Sequence, residues 1–185
     1  PVPPITTQYK IGKKLLEQST KIELLIENQR AQIEKLKEYK QSVITEAVTR
    51  GLDPSAPMKD SGVEWLGEIP MSWNVMATKN LFRIVSGSTP KSDNIDFWDG
   101  DIIWITPSDF STEDVFEYHG KRNTSLRGLK SCSTALVPKN SIIFSKRAPI
   151  GLVVINGNEL CTNQGCLSCV NITNQNIKFF YYTMS

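Results

Sequence analysis

Residues 13–49, KKLLEQSTKIELLIENQRAQIEKLKEYKQSVITEAVT, decide the architecture of this chain. Apolar side chains recur there with the seven-residue spacing of a coiled-coil seam, at Leu15, Ile22, Ile26, Ile33, Leu36 and Val43. The stretch contains no proline, and Gly51 follows it as a residue suited to ending a helix. The pattern therefore predicts one long amphipathic helix, with Thr6 upstream as its N-cap.

A helix of this length spans about 55 Å at 1.5 Å per residue, which is more than the width of a small domain. Ion pairs on its surface contribute only tenths of a kcal/mol, so the helix must bury its seam against a second helix. Gln29 and Lys40 interrupt the seam, which is a common way to fix register and the choice of partner. The helix alone leaves open a generic coiled-coil spacer or dimerisation helix.

Charge is spread unevenly along a chain whose formal net charge is only +2. Lys and Arg outnumber Asp and Glu by 9 to 6 in residues 1–50 and by 8 to 1 in residues 121–185. In residues 51–120 the acids predominate, with 4 Lys and Arg and 12 Asp and Glu. A basic C-terminal region in a nearly neutral protein indicates a polyanionic partner, with solubility as the simpler alternative. No apolar run approaches the roughly 20 residues that cross a bilayer, and the N-terminus lacks a signal-peptide pattern. We therefore expect a cytoplasmic protein with no membrane partner.

Cysteines are the obvious candidates for a zinc site, at Cys132, Cys161, Cys166 and Cys169. The single histidine, His119, is remote from them in sequence. Cys166 and Cys169 form a C-x-x-C pair, but they stand in an alternating apolar run that is typical of a strand rather than of a zinc knuckle. We predict buried or half-buried free thiols and no metal, with zinc as the alternative.

Residues 53–73 are rich in Pro, Gly, Ser and Asp, which predicts a linker. The linker separates a spacer helix, residues 1–52, from a globular domain, residues 74–185. Its prolines exclude continuation of the helix. We interpret Trp65 and Trp73 as packing anchors that join the domain to the helix, in preference to base-stacking platforms.

From residue 74 onwards, short β-branched and apolar runs alternate with Gly, Pro, Asn and Ser, as in a mostly β domain. Residues 176–185, NIKFFYYTMS, predict a terminal helix. The predicted fold class is α+β: a long coiled-coil-forming helix followed by a mostly β domain with long loops. Two long polar segments, 86–100 and 111–131, lie between predicted strands, and long ordered loops on a β scaffold usually carry function.

Five stretches follow one another in the order in which they occur in a known family. They are PPITTQ leading into the helix that ends SVITEAVTRG, then MKDSGVEWLGEIPMSW, SGSTPKSDNIDFWDGDIIWITPSDF, LVPKNSIIFSKRAPIGLVVI and CTNQGCLSC. In this order, and over nearly the whole chain, the sequence resembles the specificity (S) subunits of type I restriction–modification enzymes. The resemblance implies a spacer helix plus one target recognition domain, incomplete at its C-terminus, in a fragment or half-subunit.

The resemblance also implies partners. Such subunits carry two recognition domains, each reading half of a bipartite double-stranded DNA site, and two helical regions that pack as an antiparallel coiled coil. The implied partners are double-stranded DNA, methyltransferase (M) subunits, restriction (R) subunits through the complex, and a second spacer helix from the same subunit or a second copy. A rod of about 55 Å corresponds to about 16 base pairs, so it can hold two reading heads at a fixed separation.

No catalytic constellation stands out in the sequence. It has no Gly-rich phosphate loop, no metalloprotease helix and, with one histidine, no His-based triad. The asparagine–proline–proline–aromatic signature of the related methyltransferases is also absent. We expect a non-catalytic subunit without its own cofactor, and the resemblance assigns S-adenosylmethionine, ATP and Mg2+ to the partner subunits. The alternative function is a coiled-coil interaction module that dimerises or competes for methyltransferase subunits.

DNA contact requires side chains that donate hydrogen bonds to phosphates and bases. The first choice is a loop segment at 121–130 whose cations have no acid between them, and other candidates lie in SGSTPK, SKRAPIG and TNQG. For SGSTP a strand-ending turn, and for Arg147 a role inside the domain, are equally open. The predicted DNA-binding residues are Ser86, Ser88, Thr89, Lys91, Lys121, Arg122, Asn123, Arg127, Lys130, Lys146, Arg147, Asn163 and Gln164.

Motifs shared by subunits with different targets cannot themselves encode the target sequence. We therefore interpret Asn163 and Gln164 as structural or phosphate-contacting, in preference to adenine readers. Residues 104–110, WITPSDF, are expected to organise the base of a loop. The loops 91–101 and 111–130 are expected to hold the sequence specificity.

Overall fold

The structure, a computed structural model, describes residues 2–112 and 114–185. Pro1, the first residue of the predicted spacer segment, and Glu113, in the predicted specificity loop, lie outside the described residues. The chain divides into two compact units, Pro1–Leu52 and Asp53–Ser185.

The described part of the first unit contains one helix, α1, which runs from Ile5 to Arg50 and spans about 69 Å at 1.5 Å per residue. It ends at Gly51, whose φ of 80° favours glycine. The predicted long helix is confirmed, but the predicted N-cap at Thr6 is wrong. Pro4 precedes the helix with its φ held at −53°, and its carbonyl accepts a hydrogen bond from the Thr7 amide at 2.9 Å. Thr6 therefore lies inside the first turn.

No residue of α1 is buried, and all but Ile44, Ala47, Val48 and Thr49 are exposed. Its ion pairs are exposed, at 4.0 Å for Lys13–Glu17 and 2.9 Å for Lys37–Glu34, and such pairs contribute about 0.5 kcal/mol or less. Between 46% and 66% of the surface is exposed at the predicted seam residues Leu15, Ile22, Ile26, Ile33, Leu36 and Val43. Pairing of this seam in a coiled coil stays a prediction. Among the described residues, no helix combines the length and apolarity needed to cross a membrane.

The predicted linker contains an antiparallel hairpin of two strands, β1 (Met58–Asp60) and β2 (Glu68–Pro70). Trp65 lies in the turn between these strands, which carries its ring into solvent with 85% of the residue exposed. The interpretation of Trp65 as a packing anchor is therefore wrong. Trp73 packs within its own unit, where its ring and that of Phe179 form a T-shaped pair at a centroid distance of 5.9 Å. Its role in joining the domain to the helix stays a prediction.

The remaining described residues form two sheets, with short α-helices between or beside the strands. The bounds are α2 Thr78–Leu81, β3 Phe82–Ser86, β4 Trp98–Ile105, β5 Phe116–Glu117, β6 Arg122–Thr124, α3 Leu126–Ser131, β7 Ile142–Ser145, β8 Val153–Asn156, β9 Cys161–Thr162, β10 Cys166–Asn171 and α4 Ile177–Met184. The five-stranded sheet has the order β3-β10-β7-β8-β5, and the three-stranded sheet has the order β6-β4-β9. Neighbours are antiparallel except for the parallel pairs β5–β8 and β4–β9.

Alternation along the strands places apolar side chains on both faces of both sheets. Ile105 and Ile143 belong to the core between the sheets, whereas Ile142 packs with Phe82 beneath α4 on the far side of the larger sheet. On the outer face of the smaller sheet, Trp98 packs with Trp104, Cys161 and, in α3, Leu129. Each fully buried Ile contributes about 1.5–3 kcal/mol, so this unit has the core that α1 lacks. The predicted α+β class and the terminal helix, α4, are confirmed.

The thiols follow this layering. Cys166 and Cys169 lie on β10, as the alternating pattern predicts, and both are buried, as is Cys161. Cys132 is half-buried, and none of the four is in a disulfide. Burial raises the pKa of Cys161 and of Cys166 to about 12. Within residues 2–112 and 114–185, no group of three or more His, Cys, Asp or Glu side chains is placed to hold a metal ion.

Candidate nucleic-acid interface

Four loop segments meet where several strands end. Ser86 ends β3 and Ser145 ends β7, and these residues pair with Leu167 and Cys166 at the beginning of β10. The segments are 86–91, 106–109, 145–151 and 162–165, and together they are called the loop face here. Because the registers fix these strand ends side by side, residues far apart in sequence lie together on one surface.

The segment 86–91 is fixed by backbone contacts. The Ser88 amide donates to the Thr162 carbonyl at 2.9 Å, and the Trp104 indole N–H donates to the Ser88 carbonyl at 3.2 Å. A Cβ at Gly87 would overlap the Thr162 carbonyl oxygen, so only glycine permits this approach. The turn that SGSTP forms is thus seated on β9 rather than projecting freely.

The segment 162–165 is held partly by its own asparagine. The side-chain Oδ1 of Asn163 accepts a hydrogen bond from the backbone N–H of Gly165 at 2.8 Å. The backbone N–H of Asn163 donates to the Ile105 carbonyl at 3.1 Å. Gln164 is exposed and accepts a hydrogen bond from the Thr89 hydroxyl. These contacts favour a structural role for Asn163 and leave the Gln164 amide group at the surface.

The segment 106–109 is a short 3-10 turn with a capping box. Asp109 Oδ2 accepts hydrogen bonds from the amide and hydroxyl of Thr106 at 2.7 and 2.8 Å. This agrees with the expectation that WITPSDF organises the base of a loop. Asp109 Oδ1 has no hydrogen-bond partner among the described residues, and the Lys121 ammonium lies 3.7 Å from it. Lys121 also donates to the Ser108 carbonyl at 2.8 Å, which joins it to the loop face.

Cations face outward around these segments. Lys146 is exposed, and its ammonium donates to the Ser86 hydroxyl at 3.1 Å. Lys91 and Arg147 are also exposed. The acid of the loop face, Asp109, keeps only 5% of its side chain exposed, so the outer surface of these segments is cationic.

The cations predicted to share one loop segment do not do so. Arg122 and Asn123 lie on β6, and Arg127 and Lys130 lie on α3, so the prediction of a single loop is wrong. The physical reason lies at the last residue of β6, Thr124, which is followed by Ser125, the N-cap of α3. Thr124 is buried and donates its hydroxyl to the Phe97 carbonyl at 2.7 Å, which fixes the backbone between strand and helix.

The cations on β6 and α3 have different surroundings. The Arg127 guanidinium forms an exposed ion pair with Asp96 at 3.2 Å. Arg122 instead places its guanidinium carbon 3.7 Å from the centroid of the Trp98 ring. Lys130 is exposed, and Asn123 is half-buried.

Trp98 is the residue of this site that sequence reasoning missed. Only 6% of it is exposed, its indole N–H donates to the Lys91 carbonyl at 3.1 Å, and its ring supports Arg122. A signal was present in the sequence, in the stretch WDGDIIW. Its two tryptophans are six residues apart, and an even spacing places both on the same face of a strand. A bulge between Trp98 and Ile102 interrupts the register without separating the two rings, whose centroids are 5.0 Å apart.

Comparison with known proteins identifies a family. Residues 70–185 match the family model of the type I restriction modification DNA specificity domain. The type I restriction enzyme MjaIX specificity subunit of Methanocaldococcus jannaschii is 37% identical over 118 residues, which are 63% of this chain and 27% of that protein. The type I restriction enzyme HindI specificity subunit of Haemophilus influenzae is 30% identical over 116 residues, which are 63% of this chain and 25% of that protein. The match thus spans about a quarter of the length of these relatives.

Two solved structures share the fold. The HsdS subunit from Thermoanaerobacter tengcongensis aligns with 100% of this chain and 41% of its own, with a TM-score of 0.54 and 19% identity. A chain from a study of complex assembly and conformational transition in a type I R-M system aligns with 99% of this chain and 41% of its own, with a TM-score of 0.62 and 16% identity. At such low identities these likenesses show the fold alone.

Proposed function

The chain belongs to the family of type I restriction–modification DNA specificity domains, and on this premise we propose that residues 53–185 recognise double-stranded DNA, as a part of a specificity subunit that has no catalytic activity. The observation that carries the proposal is the convergence of cations on the loop face. Lys121 and Lys146 are bound to its backbone and hydroxyl groups, and Lys91 and Arg147 are exposed beside them.

The loop face has the chemistry that a DNA backbone requires. Phosphate oxygens accept hydrogen bonds from lysine, arginine, small hydroxyls and backbone amides. Ser86, Ser88, Thr89 and Gln164 supply hydroxyl and amide groups between the cations. We assign phosphate contacts to this face, and Asn163 to its support.

The finer function extends beyond this chain. We propose that it reads one half of a bipartite site and brings M subunits, and through them R subunits, to that DNA. S-adenosylmethionine, ATP and Mg2+ would then act in the partner subunits, in the cytoplasm. Support comes from the family membership and from the open seam of α1, which is suited to a second helix.

Salt dependence tests DNA binding by the full chain. The measurement is fluorescence anisotropy of a labelled mixed-sequence duplex, titrated with protein at several salt concentrations. Each phosphate contact contributes about −0.9 to the slope of log K against log salt. We expect Lys146→Ala and Arg147→Ala each to reduce the steepness by about one. Lys139→Ala, at the opposite end of β7, is the control of equal charge and should leave the slope closer to that of the wild type.

The outcomes separate the interface from the function. Absence of duplex binding by the wild-type chain at low salt would contradict the proposed function. Binding whose salt slope is equally reduced by all three variants would contradict the loop face as its location.

A second function, a coiled-coil interaction module, is favoured by the exposure of the seam. Light scattering over a range of concentrations tests it, with Ile26→Lys/Ile33→Lys compared with Asn28→Lys/Ala31→Lys, which adds the same charge away from the seam. A mass that falls to the monomer value only in the seam variant supports self-association through α1. A wild-type monomer at every concentration contradicts self-association and leaves the seam for a different helix.

A further inference from the structure

Arg122 differs from the other cations near the interface in how its charge is held. Lys121, Lys146 and Arg127 direct their side-chain donors to protein acceptors, namely the Ser108 carbonyl, the Ser86 hydroxyl and the Asp96 carboxylate. Within the part of the chain that the structure describes, no acceptor takes a hydrogen bond from the Arg122 guanidinium. This group instead stacks on the face of the Trp98 ring. Its central carbon lies 3.7 Å from the ring centroid, which is van der Waals contact.

The ring that holds Arg122 is itself fixed. Trp98 is 94% buried by its neighbours, since only 6% remains exposed. Its indole N–H is bound to the Lys91 carbonyl at 3.1 Å, and its ring meets that of Trp104 at an interplanar angle of 79°. A guanidinium on this platform loses little further freedom when it binds a ligand, because its orientation is already restricted.

We infer that Arg122 reads a guanine base in the major groove, with Trp98 as its positioning residue. The inference rests on the proposed function and adds the base type and the residue that recognises it. A guanidinium with free, coplanar donors matches the O6 and N7 acceptors of guanine in a bidentate contact, which is the commonest specific contact between proteins and DNA. A flexible lysine can supply positive charge to a phosphate without such a platform. The stacking therefore indicates that the orientation of the Arg122 donors matters, and not only their charge.

The position of Arg122 agrees with this role. Its neighbour Lys121 is bound to the loop face at Ser108, and Lys91, whose carbonyl holds Trp98, is exposed. Two residues of the set assigned to phosphate are thus linked to the stacked pair, Lys121 by sequence and Lys91 through its carbonyl. Arg127 is unsuited to the same role, because its guanidinium is paired with Asp96 at 3.2 Å.

Selection from a randomised duplex library tests the inference on the full chain. We compare the motifs enriched by the wild type, Arg122→Ala, Arg122→Lys and the control Arg83→Ala, which removes an exposed arginine on β3 outside the loop face. We expect Arg122→Ala to lose the preference for guanine at one position, by about 10- to 100-fold, while the other positions keep theirs. Arg122→Lys keeps the charge but not the planar group, so its preference at that position should stay several-fold below the wild type. Arg83→Ala should enrich the wild-type motif.

The results that overturn the inference are distinct from those that overturn the function. A motif unchanged in Arg122→Ala, or a uniform loss of affinity that Arg122→Lys restores, would show that Arg122 reads no base while DNA recognition itself stands. A wild-type chain that enriches no motif would overturn both together.

A second pair of variants tests the positioning role of Trp98. Trp98→Phe keeps an aromatic face beneath Arg122 and removes the indole N–H, whereas Trp98→Leu removes the aromatic face. Among folded proteins, as judged by thermal melting, we expect the guanine preference to survive in Trp98→Phe and to weaken in Trp98→Leu. Equal preferences in the two variants would contradict the role of the ring.

Discussion

The helix α1 and the β unit, residues 53–185, use the same apolar residues in opposite ways. Ile33 in the seam of α1 is 50% exposed, whereas Ile143 in the core between the sheets is 0% exposed. The helix therefore has little stabilisation beyond its own hydrogen bonds, while the β unit carries its own core. One region leaves its apolar residues exposed, and the other presents a polar, cationic loop face on a packed scaffold.

The largest effect is expected from one substitution made in both regions. Ile143→Ala removes buried methyl groups and leaves a cavity, so it should lower the free energy of unfolding of the β unit by about 2–5 kcal/mol. Ile33→Ala should change it by less than about 0.5 kcal/mol. Denaturant unfolding followed by tryptophan fluorescence measures both, because all four tryptophans lie in the β unit. A loss above about 1 kcal/mol from Ile33→Ala would show that the two units share their stability, which would break the comparison.

The next effect concerns a polar group inside the β unit, for which α1 has no counterpart. Asn156 is fully buried, accepts from the Ser141 amide at 2.7 Å and donates to the Pro138 and Asn158 carbonyls at 2.9 and 2.8 Å. Asn156→Ala leaves these groups unpaired and should cost about 1–3 kcal/mol in the same unfolding experiment. The control is Asn158→Ala, whose exposed side chain donates to the Tyr118 carbonyl at 3.0 Å. Equal costs would mean that the buried network adds nothing beyond a surface hydrogen bond.

Alkaline pH should weaken the β unit, and α1 contains no cysteine that would respond in the same way. Burial, and after it the charge of Asp109, raises the pKa of Cys166 from an ordinary 9.0 to about 12, against the opposing effect of Lys146. The unfolded thiol therefore ionises above pH 9 while the folded thiol stays neutral. The stabilising contribution is complete below pH 9 and is lost as the pH rises from 9 to 12, at about 1.4 kcal/mol per pH unit.

The measurement is the free energy of unfolding at pH 10 and pH 11, compared between the wild type and Cys166→Ala. The variant should lose about 1.4 kcal/mol less than the wild type over this interval. Parallel decreases in the two proteins would show that the Cys166 thiol does not contribute to the alkaline loss.

The two regions also differ in how much of them the sequence predicts. A helix is encoded by neighbours in sequence, so the seven-residue spacing and Gly51 predict α1 and its end. The misplaced start has a local cause as well: Thr6 is a good capping residue, but Pro4 already begins the helix. In the β unit, alternation predicts Cys166 and Cys169 on a strand for the same local reason.

Contacts between distant residues explain the differences at the interface. The hydroxyl of Thr124 reaches the Phe97 carbonyl, 27 residues away, and so divides the expected loop into β6 and α3. Tryptophan is usually a packing residue, but Trp65 lies in the turn between β1 and β2 and is therefore exposed. The stacking of Arg122 on Trp98 depends on the pairing of β6 with β4, which no spacing along the chain encodes. The DNA contacts of the loop face stay a prediction.

The smallest effect is expected where the two regions are physically alike, at their exposed ion pairs. Arg127 and Asp96 in the β unit leave 78% and 66% of their side chains exposed, and Lys37 and Glu34 in α1 leave 68% and 67% exposed. Water and salt screen both pairs, so Arg127→Ala and Lys37→Ala should each cost about 0.5 kcal/mol or less. Thermal melting monitored by circular dichroism at low and high salt measures the cost. A larger loss from Arg127→Ala that salt reduces would show that the pair holds α3 to the turn at 95–97, and the scaffold would then depend on surface charge as well as on its core.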